Sequence, residues 1–204
     1  KDNTITDNSV NGPSSTGGGI RIHVCTNSLI EDNRILRNQS TDNGGGISTT
    51  SSEVTIRNNE IVSNEALEEG AYAYGGGIYS YSGEVVITGN TISNNTAYKG
   101  GGMYVDDSAS FINNTIANNI AIYDDYSRAG AGIYADGSSC STGYGNIICG
   151  NNSSPQFYHY TYAPNEPPSN TISTICGTSP HAPVIYKLEA DSNPAEVNQT
   201  ITLT

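Results

Sequence analysis

Five times in this chain a glycine cluster runs directly into an aliphatic residue. The clusters are Gly17-Gly18-Gly19-Ile20, Gly44-Gly45-Gly46-Ile47, Gly75-Gly76-Gly77-Ile78, Gly100-Gly101-Gly102-Met103 and Gly130-Ala131-Gly132-Ile133. Their aliphatic residues lie 27, 31, 25 and 30 positions apart. Between clusters runs I-x-x-N-x-I-x-x-N, as Ile30-Asn33-Ile35-Asn38, Ile56-Asn59-Ile61-Asn64 and Ile87-Asn90-Ile92-Asn95, with Phe111-Asn114-Ile116-Asn119 as a fourth copy. A unit recurring at this length defines a solenoid. Runs such as Val54-Thr55-Ile56 and Val85-Val86-Ile87 are β-branched, bounded by Asn and Gly, and too short for helices. The expected fold is all-β: a right-handed parallel β-helix of about six or seven rungs over residues 1–180. Three strands per rung are expected, with rungs about 4.8 Å apart.

The asparagines fit the bends between strands, because Asn tolerates a left-handed backbone better than any residue except Gly. Asn8, Asn33, Asn59, Asn90, Asn114 and Asn146 are read as one phase of the repeat. Their amides, each both donor and acceptor, would form an Asn ladder beside aliphatic stacks. Glycine suits the returning backbone where it turns or approaches a neighbour closely. A phosphate-binding loop is excluded, since neither a Lys at P-loop spacing nor a helix follows the glycines.

The 204 residues carry 8 Lys plus Arg against 20 Asp plus Glu, a net charge of −12, which argues against nucleic acid as a partner. No apolar run approaches the length of a membrane span, so no membrane insertion is expected within this chain. Asn3-Thr4-Ile5-Thr6 already reads as strand, so the chain is expected to start inside a rung. Ile148-Cys149-Gly150 and Ile175-Cys176-Gly177 repeat a tripeptide one rung apart, which suggests a Cys149–Cys176 disulfide; Cys140–Cys149 is the rival pairing, and Cys25 lies several rungs away. Cysteine usage favours an oxidising, extracellular location. Asn38, Asn94, Asn113, Asn151, Asn152 and Asn198 stand in glycosylation sequons.

The five glycine clusters, with Ile56–Asn59, Ile87–Asn90 and Phe111–Asn114 as second element, resemble the repeats of polymorphic outer-membrane proteins and related adhesin-like surface β-helices. Asn146-Ile147-Ile148-Cys149-Gly150-Asn151 and Ser154-Pro155-Gln156-Phe157 resemble the terminal rung of such proteins. The resemblance implies a non-enzymatic, secreted or surface-displayed protein tied to adhesion. Residues 181–204 differ in texture: Pro183–Ala190 and Asn193–Thr204 resemble the first strands of an immunoglobulin-like module of prokaryotic surface proteins. That tail would either begin such a module or pair with a neighbouring subunit.

Alternation along each glycine-led strand places Arg21, Ser48, Tyr79, Tyr104 and Tyr134 outward, then His23, Thr50, Tyr81, Asp106 and Asp136. Tyr79, Tyr81, Tyr104 and Tyr134 are candidate binding residues for a glycan or protein partner, or a structural stack. Asp106 and Asp136, with Asp107, could attract Ca²⁺, which takes oxygen ligands readily. The loops Gln39–Asn43, Glu65–Tyr74, Thr96–Lys99 and Ile120–Ala129 carry Glu65, Glu68, Glu69, Tyr72, Tyr74, Tyr98, Tyr123, Asp124, Asp125 and Tyr126. Insertions on one side of a repeat protein often mark a binding face. His159 and His181 read as loop residues. No catalytic residue is assigned. The expected role is a rigid scaffold, self-associating head to tail or binding surface proteins and glycans. A carbohydrate-active β-helix, enzyme or glycan-binding module, is the alternative.

Overall fold

The computed structural model describes residues 1–12, 14–67, 72–106, 108–123, 129–136, 142–153, 156–159 and 169–173. For residues 142–144, 159 and 169–173 it describes the backbone. The expectations that rest on Glu68, Glu69, Asp107, Asp124, Asp125, Tyr126, Cys140, Ser154, Pro155, Cys176, His181, Asn198 and the tail 181–204 lie outside these residues.

Among the described residues all the regular structure is strand. β1 (Thr4–Thr6) and β2 (Ser9–Val10) open the chain. Four complete turns follow, the first made of β3 (Ile20–His23), β4 (Ser28–Glu31), β5 (Arg34–Leu36) and β6 (Gln39–Ser40). The second holds β7 (Ile47–Thr50), β8 (Val54–Arg57), β9 (Glu60–Val62) and β10 (Glu65–Ala66). The third holds β11 (Ile78–Tyr81), β12 (Val85–Thr88), β13 (Thr91–Ser93) and β14 (Thr96–Ala97). The fourth holds β15 (Met103–Asp106), β16 (Ala109–Ile112), β17 (Thr115–Ala117) and β18 (Ile120–Ala121). β19 (Ile133–Asp136), β20 (Thr142–Cys149), β21 (Phe157–His159) and β22 (Ser169–Ser173) complete the stack.

Every pairing is parallel and joins like strands of successive turns. The result is three sheets along one axis. A six-stranded sheet holds the glycine-led strands, a five-stranded sheet holds β2, β6, β10, β14 and β18, and β20 joins the other two rows into one 11-stranded sheet. Each turn therefore has four strands, not the expected three. The fourth, such as Glu65–Ala66, occupies the first two residues of what reads in sequence as a return loop. Two-residue strands carry too little alternation to register as a pattern.

The interior is a set of aliphatic columns. Ile47, Ile78, Met103, Ile133 and Phe157 form one, Ile56, Ile87 and Phe111 a second, and Ile35, Ile61, Ile92, Ile116 and Ile148 a third, all buried. Full burial of such a side chain is worth about 1.5–3 kcal/mol.

Two amide ladders run beside the columns, not one. Asn3, Asn33, Asn59, Asn90, Asn114 and Asn146 form the first, and Asn8, Asn38, Asn64, Asn95, Asn119 and Asn151 the second. Asn8 thus belongs to the second ladder, and Asn3 takes the place expected for it. In each step one Asn backbone N–H and its Nδ2 both donate to Oδ1 of the Asn in the following turn, as from Asn64 to Asn95 at 2.9 and 3.0 Å. From Asn38 and Asn59 onward the other Nδ2 hydrogen goes to a backbone carbonyl of the preceding turn, as from Asn95 to Ile61 at 2.9 Å. The buried amides are satisfied, which offsets their desolvation.

The left-handed backbone falls one residue earlier than expected. Asp32 (φ 54°), Asn58 (55°), Gly89 (65°) and Asn113 (53°) precede the first ladder's asparagines, and Arg37 (51°), Ser63 (57°), Asn94 (55°) and Asn118 (55°) precede the second's. The bend and the ladder are separate jobs held by neighbouring residues. The exposed bend residue turns the chain, and the buried Asn after it bonds along the axis.

The third glycine of each cluster follows from the second ladder. A Cβ on Gly77 would lie 3.0 Å from Asn95 Nδ2 and 2.5 Å from the carbonyl of Gly102. Gly19, Gly46, Gly102 and Gly132 face Asn38, Asn64, Asn119 and Asn151 in the same way. In the last turn Gln156 stands at this position, directly before Phe157. Its Oε1 accepts from Asn151 N at 3.0 Å and Nδ2 at 2.9 Å, so its side chain meets Asn151 as a ladder amide would.

The tyrosine face and its covering loops

The outward positions of the six-stranded sheet bring the tyrosines together. Tyr79, Tyr104, Tyr134 and Tyr158 stack along the axis, with ring centroids 5.4, 5.2 and 5.1 Å apart and interplanar angles of 24°, 5° and 29°. The register Tyr79↔Tyr104↔Tyr134↔Tyr158 makes this a direct consequence of strand pairing. Tyr158 extends the column beyond the residues singled out in the sequence. The signal was its place directly after Phe157, which matches Tyr134 after Ile133.

The face is not an open strip. Tyr104 is 7% exposed and Tyr134 3%. The loops cover them: Tyr74 stacks on Tyr104 at 4.8 Å, and Tyr98 packs against Tyr72 at 4.7 Å and Tyr123 at 5.0 Å. Lys99 Nζ sits 4.5 Å from the centre of the Tyr123 ring and 4.8 Å from that of Tyr134, bridging loop and sheet by cation–π attraction. Among the described residues Tyr81, at 46%, and Tyr72, at 63%, are the exposed tyrosine rings. Of the four candidate binding tyrosines, Tyr81 and the half-buried Tyr79 are accessible to a partner.

Asp106 and Asp136 are register neighbours at the upper end of this face. The Tyr104 hydroxyl donates to Asp136 Oδ2 at 2.6 Å. Burial raises the Tyr104 phenol above its ordinary range, and the bond to Asp136 and that carboxylate's charge add to the effect. Burial also raises Tyr79, helped by the charge of Asp42, and raises Tyr74. Among the described residues no group of three or more His, Cys, Asp or Glu is placed to hold a metal ion. At the lower end of the face Arg21 and His23 are exposed, while Ser48 is buried. His159 belongs to strand β21, opposite Ala135, rather than to a loop.

Two of the sequon asparagines are ladder members. Asn38 is fully buried, and its Nδ2 is committed to Ile5 O and Asn64 Oδ1. Asn151 Nδ2 is committed to Ile116 O and Gln156 Oε1. Neither folded position accommodates a glycan, whereas Asn94, Asn113 and Asn152 are exposed. Ser173 lies opposite Cys149 in the register of β20 and β22, and the expected pairings of Cys149 with Cys176 or Cys140 fall outside the described residues. Asn170-Thr171-Ile172-Ser173 repeats Asn90-Thr91-Ile92-Ser93 and is a copy of the ladder motif missed in sequence. Cys25 is an exposed free thiol.

A family model described as the right-handed β-helix region matches residues 1–173, and the chain belongs to that family. Neither a curated protein nor a solved structure matches the chain. Among the described residues no helix is long and apolar enough to cross a membrane.

Proposed function

We propose that this protein is a non-enzymatic, extracellular scaffold of adhesin type: a stiff column that presents its variable loops to a protein or glycan partner. The observation that carries the reading is the placement of the loops. Tyr74, Tyr98 and Tyr123, on the segments after β10, β14 and β18, are pinned to the same sheet of a column held by two amide ladders. A site on a rigid support loses little conformational entropy when a partner binds. The acidic balance of the chain suits a neutral or basic partner.

A glycan-binding role is the second reading, supported by the exposed rings of Tyr72 and Tyr81. An immobilised-glycan screen, a cell-surface binding assay and a turnover screen on acidic polysaccharides separate the possibilities. The scaffold reading expects binding to a surface without turnover. Turnover abolished by Asp106→Ala or Asp136→Ala would overturn it in favour of an enzyme.

A further inference from the structure

Among the described residues the aromatic contacts link nine tyrosines into one network. Tyr81 lies beside Tyr79 at 6.4 Å with planes 4° apart, and Tyr79 leads into the axial column through Tyr104. Tyr72 reaches Tyr104 through Tyr98 and Tyr74, in steps of 4.7, 6.4 and 4.8 Å. Both exposed rings therefore connect by short ring-to-ring steps to the same buried phenol. That phenol is hydrogen-bonded to a carboxylate at 2.6 Å.

We propose that this array is a site of one-electron oxidation, in which an oxidising equivalent taken at Tyr72 or Tyr81 comes to rest on Tyr104 as its proton passes to Asp136. The oxidant is a diffusible one-electron acceptor, such as a peroxyl radical or the high-valent haem of a peroxidase. The step balances: Tyr104–OH and Asp136–COO⁻ become Tyr104–O• and Asp136–COOH, and the electron leaves through the stacked rings to the oxidant. Oxidised phenols are strongly acidic, so a phenol already hydrogen-bonded to a proton acceptor is oxidised without forming an isolated radical cation.

The fixed charges give the array a direction. Lys99 sits over Tyr123 and Tyr134, and its positive charge disfavours electron loss from those rings. The Asp136 carboxylate favours it at Tyr104. Burial of Tyr104 then keeps the radical from water and from coupling with a second radical. Stacking for sheet stability alone accounts for the column, but not for the carboxylate bonded to the Tyr104 hydroxyl within it.

Flash photo-oxidation of the full chain with a ruthenium tris(bipyridine) sensitiser and persulfate, followed by freezing and high-field electron paramagnetic resonance, tests this. The wild type is expected to give a long-lived tyrosyl radical with one hydrogen-bonded proton that exchanges slowly in D₂O. Tyr104→Phe keeps the ring and should shorten the radical's lifetime about tenfold or more, and Asp136→Asn, a poor proton acceptor, should do the same. Double replacement of Tyr72 and Tyr81 by Phe should lower the yield. A wild-type radical that is solvent-exposed and decays as fast as in Tyr104→Phe overturns the proposal. If neither Tyr104→Phe nor Asp136→Asn folds, the hydrogen-bond signature and D₂O exchange of the wild-type radical decide alone.

Discussion

At the scale of single residues the division of labour at each bend is the main result. An exposed residue with positive φ turns the chain, and the buried Asn after it bonds along the axis. Asn95 illustrates the energetic stake: it accepts from Asn64 N and Nδ2 and donates to Ile61 O and Asn119 Oδ1. Asn95→Ala leaves several buried partners unsatisfied, each costing about 1–3 kcal/mol. It should lower unfolding stability by at least about 3 kcal/mol in urea titrations, whereas an exposed bend residue such as Ser63→Ala should cost under about 1 kcal/mol. The tyrosines give a pH dependence. An unfolded phenol titrates near its ordinary value, about 10, while folded Tyr79 and Tyr104 hold their protons to higher pH. Between the two values only the unfolded state loses protons, so stability falls as pH rises through about 10. Tyr104→Phe should flatten that fall in thermal melts taken across alkaline pH.

At the scale of elements, strand and glycine triplet are fitted to one another. Most of this was legible in sequence: the doubled I-x-x-N fixed the aliphatic columns and the ladder residues, and the glycine clusters marked the third sheet. What escaped was short or relational. A two-residue strand has no periodicity to detect. Asn3 and Asn8 both lie one repeat length before Asn33, so spacing alone does not separate the two ladders that the hydrogen bonds define. The covering of Tyr104 and Tyr134 depends on where loops fold back, which strand alternation does not encode. The role of the third glycine, making room for a ladder amide, became visible only with both strands in place. Gly77→Ala drives a methyl into Gly102 O and Asn95, and it should destabilise the column by more than about 2 kcal/mol. Ala131→Gly, at the one cluster where Ala already stands in the middle position, should cost no more than about 1 kcal/mol. Guanidinium unfolding midpoints of the two variants provide the comparison.

At the scale of the whole molecule, contacts run mainly between adjacent turns, so stability accumulates along the axis as in other repeat proteins. The first turns add exposed ion pairs between rungs, Arg34–Glu60, Arg57–Glu31 and Arg37–Asp7. The Arg37 guanidinium holds the Asp7 carboxyl down to about 2. Such pairs help fix register more than they stabilise. The column rests on buried amides bonded turn to turn, and hydrogen exchange read on Asn side chains by NMR probes them directly. The Nδ2 protons of Asn59, Asn64, Asn90, Asn95, Asn114 and Asn119 should exchange as slowly as the backbone amides of Ile61 and Ile92, while those of exposed Asn58 and Asn94 exchange at the rate of free amides. Ladder amides that exchange as fast as Asn58 and Asn94 would contradict the stacked column and everything built on it.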